Sequence, residues 1–298
     1  MSERLSIYLP PFAADYAGVC SVLFDYDCLI VIDDASCCTR GYLACDEPRL
    51  NKRAFSSRLR AIEAVMGDEE RLITQTVQAI EELKPTFAAV VGSPITSLIG
   101  RDMSSVAARV EQCAGVPVLG FDTTGFRYYN HGASMAYIKL LERFGSLKSN
   151  SLGAIPLDGY LTAPPCGRFT LMSLSGFAAA ERLGEYDMLA PSDAFETAAD
   201  TLIIGDQVIA NSIRDERSGT VASFFGIEPK LARAGDISLA DERQLIELLR
   251  GGRFRHLIAD PIICAMPQAS GLYCESLPHP AISGEYMLHK NNLHKEKD

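Results

Sequence analysis

The chain of 298 residues has no tryptophan, no C-x-x-C pair, no low-complexity tract and no apolar run of transmembrane length. Each absence removes a class of function. No G-x-G-x-x-G turn follows an apolar strand, so NAD has no phosphate cradle. No G-x-x-x-x-G-K-(S/T) loop occurs, so the chain is not expected to bind ATP directly, and no G-x-S-x-G elbow points to a hydrolase. Basic residues are in the minority, 28 against 38 acidic, for a net charge of −10. With no local basic stripe, that balance argues against a nucleic-acid surface. The opening MSERLSIYLPPF lacks the apolar centre of a signal peptide, and the expected address is the cytoplasm. The five histidines, at 131, 256, 279, 289 and 294, are scattered and none pairs with a cysteine, which makes zinc a poor fit.

Cysteine, by contrast, is plentiful. Nine occur, at 20, 28, 37, 38, 45, 113, 166, 264 and 274, an odd number in a chain too long for a small disulfide scaffold. Metal binding, redox chemistry and simple burial remain. Five fall between positions 20 and 45. Cys28 sits in an apolar strand and reads as a small buried hydrophobe, as do Cys113 and Cys264. Cys37, Cys38 and Cys45 share the segment 33–49, at the carboxyl end of that strand, and are the candidate metal ligands. Thiolates are the soft anionic donors that iron–sulfur clusters use. Asp33 and Asp34 stand beside them, read as cation ligands, as acid–base groups or as loop caps.

Patterning points to an α/β protein: two doubly wound, Rossmann-like parallel-sheet domains facing across a cleft, with boundaries at 1–148 and 149–298. Phe87–Val91 is apolar throughout, as a strand buried on both faces should be. It follows a helical pattern ending at Lys84-Pro85 and precedes Gly92-Ser93-Pro94. A helix over 102–113 leads to a strand over 116–121. Helix 13–24, strand Cys28–Ile32 and a helix after Asn130, with Met135, Ile138, Leu141 and Phe144 inward, complete the first domain. In the second, strands are expected at 152–155, 169–174, 187–190, Thr201–Ile204, 221–225 and His256–Ala259. Helices are expected at 177–183, after Pro191-Ser192, at 208–217 and at 239–249 with Ser238 as cap. Ligands collect at the carboxyl ends of strands in such sheets. Ser93, Thr96, Thr123 and Thr124 are therefore the candidate cofactor-binding hydroxyls, although turns stabilised by their own side chains need the same residues.

One series of residues also carries a family resemblance. Gly67, Leu72, Lys84-Pro85, Leu98-Ile99-Gly100, Asp102, Gly115-Val116-Pro117-Val118 and Thr124-Gly125-Phe126 occur in order, followed by 150–158 and Gly205-Asp206-Gln207. The series resembles nitrogenase component 1, a family of nitrogenase subunits, cofactor-assembly scaffolds and dark-operative chlorophyll-pathway reductases. The resemblance implies a shortened member of a family that commonly has three such domains. It further implies an oxidoreductase subunit accepting electrons from an ATP-dependent iron–sulfur reductase, and a homodimer or a paired homologous subunit with an iron–sulfur cluster at the interface. The alternative it allows is a non-catalytic scaffold for a metallocofactor or tetrapyrrole. Of the family's three cluster cysteines, the counterparts here are Leu9, Cys38 and Pro94. Two of the three positions have therefore lost the ligand, since neither leucine nor proline has a side-chain electron pair to offer iron.

Overall fold

Strand β1 (Cys28–Ile32) is buried at every position, which requires cover on both faces. The computed structural model describes residues 6–49, 53–160, 168–215 and 218–284. Cys166, His289, His294 and the run 290–298, read from sequence as a solvated tail, lie outside the described residues. The chain divides into two compact units, Ala13–Ser149 and a second that joins Asn150 onward with the N-terminal segment ending at Phe12.

In the first unit β1, β2 (Ala54–Ser56), β3 (Phe87–Val91) and β4 (Val118–Phe121) form a parallel sheet in the order β2-β1-β3-β4. Alternate residues Leu29, Val31, Ala88 and Val90 meet Leu72, Ile73 and Ile80 of helix Glu70–Leu83 and Met103, Val106 and Val110 of helix Met103–Ala114. On the other side, helix Asp15–Leu23 packs on β1, and helix Tyr129–Phe144 packs on it and on β4. These two helices touch backbone to backbone. A Cβ on Gly18 would lie 1.9 Å from the Tyr129 carbonyl oxygen, and one on Gly132 would lie 1.8 Å from that of Asp15.

That contact corrects the expected inward face of helix Tyr129–Phe144. The buried residues are Tyr129, Asn130, Gly132, Ala133, Ala136, Tyr137, Leu140 and Leu141; Met135 and Ile138 are only half-buried, and Phe144 is exposed. Close approach of two backbones selects the small residues rather than the large apolar ones. Cys113 is also exposed, not buried, because it lies off the buried stripe of its helix.

The second unit has two parallel sheets. β5 (Ser151–Leu152), β6 (Thr170–Leu171) and β7 (Asp187–Met188) form a small one. β8 (Thr201–Ile204), β9 (Thr220–Ser223), β10 (Ile237–Ser238), β11 (His256–Ala259) and β12 (Tyr273–Ser276) form a larger one, ordered β10-β9-β8-β11-β12. This order is that of a doubly wound sheet whose direction reverses between β8 and β11. Residues 6–12 belong here: the Ile7, Tyr8 and Leu9 amides donate to the Glu242 carboxylate at 2.8, 2.9 and 2.7 Å, and the Phe12 ring meets Phe224 edge-on at 5.2 Å.

Several sequence expectations change in this unit. Residues after Pro191-Ser192 are not helical, and the helix expected over 208–217 is the shorter Gln207–Ser212. The helix expected from Leu239 is Glu242–Arg250, capped by Asp241, whose carboxylate accepts the Gln244 amide at 2.9 Å; Ser238 ends β10 instead. A carboxylate at the amino end of a helix meets both its free amides and its dipole. No helix among the described residues is long and apolar enough to cross a membrane.

Candidate functional site

In the first sheet the connection order reverses between β1 and β3, and ligand crevices form outside the carboxyl ends of strands at such a point. Asp33 and Asp34 leave β1 there, and Gly92 and Ser93 leave β3. The segment 33–49, expected as loop, is largely helical: helix Cys37–Gly41 runs into a π-helical turn, Tyr42–Asp46.

Asp34 organises this turn. Its Oδ2 accepts the Thr39 amide at 2.9 Å, and its Oδ1 accepts the Thr39 hydroxyl at 2.9 Å and the Ser56 hydroxyl at 2.6 Å. Oδ2 keeps one lone pair for a further partner. The result brings Asp34, Cys37 and Cys38 together, with potential donor atoms all within 4.8 Å of one another and the two sulfurs 3.9 Å apart. Asp34 is buried, Cys38 half-buried and Cys37 exposed, so the group opens to solvent on one side. Cys45, the third cysteine singled out from sequence, is exposed on the π-helical turn and is not one of these donors. Asp34 takes the third place. The aspartate pair beside the cysteines was the sequence signal for it.

Burial governs protonation around the group. Burial pushes the Cys38 thiol up to about 12, Cys37 and Asp34 add to the rise, and a hydrogen bond with Tyr16 opposes it. Burial and the neighbouring Cys38 and Asp46 also raise Tyr16. Asp46 is itself pushed up to about 7 by burial and by Glu47. Buried Cys20 is raised as well, by burial first and then by Glu47, Asp46 and Asp34. Burial is the first cause in each case, so these groups hold their protons, and a metal ion bound here would have to displace the Cys38 proton. Two thiols and a carboxylate suit one thiophilic metal ion, or one corner of a cluster, with a position left open. They do not supply the four thiolates of a complete iron–sulfur site.

Asp33 points into the protein instead. Its carboxylate accepts the Ser57 hydroxyl at 2.6 Å and pairs with the Arg101 guanidinium at 2.7 Å, with side-chain exposures of 2% for Arg101 and 1% for Asp33. Arg101 also donates to the Asp68 carbonyl at 2.9 Å.

The four hydroxyls singled out at the strand ends serve the backbone. Ser93 caps helix Pro94–Leu98, donates to the Asp33 carbonyl at 2.7 Å, and exchanges bonds with Thr96. Thr123 donates to the Gly92 carbonyl at 2.8 Å, and the Thr124 hydroxyl donates to Asp15 at 3.2 Å. Asp15 further accepts the Thr124 and Gly125 amides at 2.9 and 2.7 Å. Thr96, Thr123 and Thr124 nonetheless border a shared cavity of about 500 Å³, which Ser93 does not reach. Asp122, on its rim, accepts the Met103 amide at 2.8 Å. Pro94 is a packing piece: its ring lies where a side chain on Gly125 would go, 2.2 Å from that Cβ. Leu9 is buried in the second unit.

A parallel α/β sheet with thiols at its switch point is the class of protein that the geometry defines, and comparison with known proteins narrows it. Residues 27–155 match the family model of nitrogenase component 1 type oxidoreductase. That stretch, 27–155, is thus similar to nitrogenase component 1, in line with the ordered motifs within it. Over 114 residues it is 31% identical to the nitrogenase iron-molybdenum cofactor biosynthesis protein NifE of Sinorhizobium fredii, a stretch covering 37% of this chain and 23% of that protein. The match thus spans about a quarter of the curated relative. The fold of two solved structures of nitrogenase Cp1 is also similar. The one at pH 6.5 has TM-score 0.63 at 11% identity, covering 98% of this chain and 89% of that one. The one at pH 5 has TM-score 0.58 at 12% identity, with 94% and 85% covered. Identities this low speak for the fold alone.

Proposed function

We propose that this protein handles a metallocofactor or its precursor, holding it transiently through Cys37, Cys38 and Asp34. The observation that carries the reading is the convergence of those three donors within 4.8 Å at the switch point of a nitrogenase-like domain, with one side open to solvent. An open three-donor set suits cargo that is loaded and released. The local relative in cofactor biosynthesis supports the same view. A second copy of the chain or a homologous subunit would complete the soft donor set. Cys45 and the strand-end hydroxyls Thr96, Thr123 and Thr124 stand on the same carboxyl-end side of the sheet and are proposed as contacts for larger cargo.

A second reading is a redox subunit that takes electrons from an ATP-dependent iron–sulfur reductase. The description of the matching family, an oxidoreductase, favours it. Anaerobic reconstitution with ferrous iron and sulfide tests the metal site. The wild-type chain should retain iron after desalting, Cys38→Ser and Cys37→Ser should each lose most of it, and Cys113→Ser should not. Equal retention by all four proteins removes the cysteine pair from any metal site. If iron is retained, bleaching of its visible absorption by a reductase and ATP would favour the redox reading.

A further inference from the structure

We infer that the cleft beside β2 is a binding site for a small organic anion, a carboxylate or phosphoryl group carried on an apolar body. The inference stands apart from the thiol site. The cleft encloses about 680 Å³, within the usual range for small-molecule sites. Arg40 and Arg58 supply its charge. Both are exposed, and among the described residues neither guanidinium pairs with a carboxylate, although the chain carries ten more acidic than basic side chains. The other arginine lining the cleft, Arg71, behaves differently and is committed to Glu63. Leu43 and Phe55, 37% and 41% exposed, supply the apolar surface.

The backbone that carries both arginines is anchored before any ligand arrives. Arg40 rides on helix Cys37–Gly41, which Asp34 ties to Ser56, and Ser36 at its start has φ +75° with its hydroxyl 3.1 Å from that of Ser56. Arg58 has φ +52°, a conformation that a side chain with a Cβ adopts rarely. Arg71 holds it there, donating to the Ser57 and Arg58 carbonyls at 3.1 and 2.9 Å while its charge is taken by Glu63. Strain maintained by surrounding bonds is usual where a group must be presented in one place. Two guanidiniums on anchored backbone, lining one cleft with an aromatic and an aliphatic side chain, match an anion with an apolar body, since arginine forks grip carboxylate and phosphate oxygens in pairs.

The test uses calorimetric titration of the full chain with 1-naphthoate, inorganic phosphate and neutral 1-naphthalenemethanol. 1-Naphthoate should bind one to one, at least about tenfold tighter than either comparison compound, and more weakly as ionic strength rises. Arg40→Gln combined with Arg58→Gln should weaken it by at least about tenfold, as loss of charge-assisted bonds requires. Phe55→Ser should weaken naphthoate and leave phosphate unchanged. Arg243→Gln, on an exposed pair in the second unit, should change nothing. Cys37→Ser with Cys38→Ser should retain naphthoate binding, so failure here and failure of the metal site are separate results. No naphthoate binding, binding indifferent to the double arginine variant, or phosphate bound as well as naphthoate overturns the proposal.

Discussion

Replacing Arg101 with methionine strands a carboxylate. Asp33 and Arg101 are almost wholly withdrawn from water, and the pair is 2.7 Å long. Removing the cation leaves Asp33 with the Ser57 hydroxyl as its remaining side-chain partner. Breaking a buried ion pair from one side costs about 3–5 kcal/mol, most of it the uncompensated charge. For a unit of this size that corresponds to a fall of roughly 10 °C or more in the melting temperature. Scanning calorimetry reads it directly, and hydrogen exchange at β1 should locate it. Asp33→Asn should cost less, because the amide oxygen can still accept from Ser57, while Arg101 keeps the Asp68 carbonyl and lies 4.0 Å from Glu69. The double variant should then lose about 2 kcal/mol less than the sum of the two singles, since they share one interaction. Additivity within about 0.5 kcal/mol, or an Arg101→Met variant that melts with the wild type, would refute the reasoning. The consequence reaches the site, because the Asp33 carbonyl anchors Ser93 and the next residue is the metal-donor candidate Asp34.

Other expectations concern packing and protons. Gly132→Ala should destabilise by about 2–3 kcal/mol, since its Cβ would meet backbone that has nowhere to move, whereas Gly41→Ala, with open space around it, should be neutral or stabilising by up to about 1 kcal/mol. Equal melting temperatures for these two variants would contradict the packing described. Burial, then the neighbouring Asp158, pushes Asp206 up to about 7 against three backbone hydrogen bonds. The folded state then keeps a proton that the unfolded chain releases, so this group's contribution is full below about pH 4 and is lost as pH rises to about 7. Asp158→Asn should flatten that part of the melting profile, and an unchanged slope would show that the two carboxylates do not interact. Loss of iron in Cys38→Ser and of naphthoate in the paired arginine variant are the corresponding expectations for the two sites.

Strands β1, β3, β8 and β11 were legible as unbroken apolar runs because central strands of a parallel sheet are covered on both faces. Edge strands β2 and β12 were not. Each is short and half exposed, so its sequence carries no run and no alternation. Helix Met103–Ala114 announced itself through Asp102, whose side chain caps the Ser105 amide at 2.9 Å. The cysteine helix gave no such sign, since its organiser, Asp34, lies three residues before it and acts through Thr39.

The sequence by itself determined the α/β class, the likeness to nitrogenase component 1 and the neighbourhood of the thiols at 37 and 38. Those features are local, written in apolar runs, turn residues and residue type. The tertiary structure decided which side chains share a space. It set Asp34 rather than Cys45 beside Cys37 and Cys38, and turned Asp33 inward to Arg101, 68 residues away. It committed the strand-end hydroxyls to backbone and gave the helix contact to glycine and alanine. Each of these depends on chain segments far apart in sequence, whose meeting is fixed by strand order and close packing rather than by any local pattern.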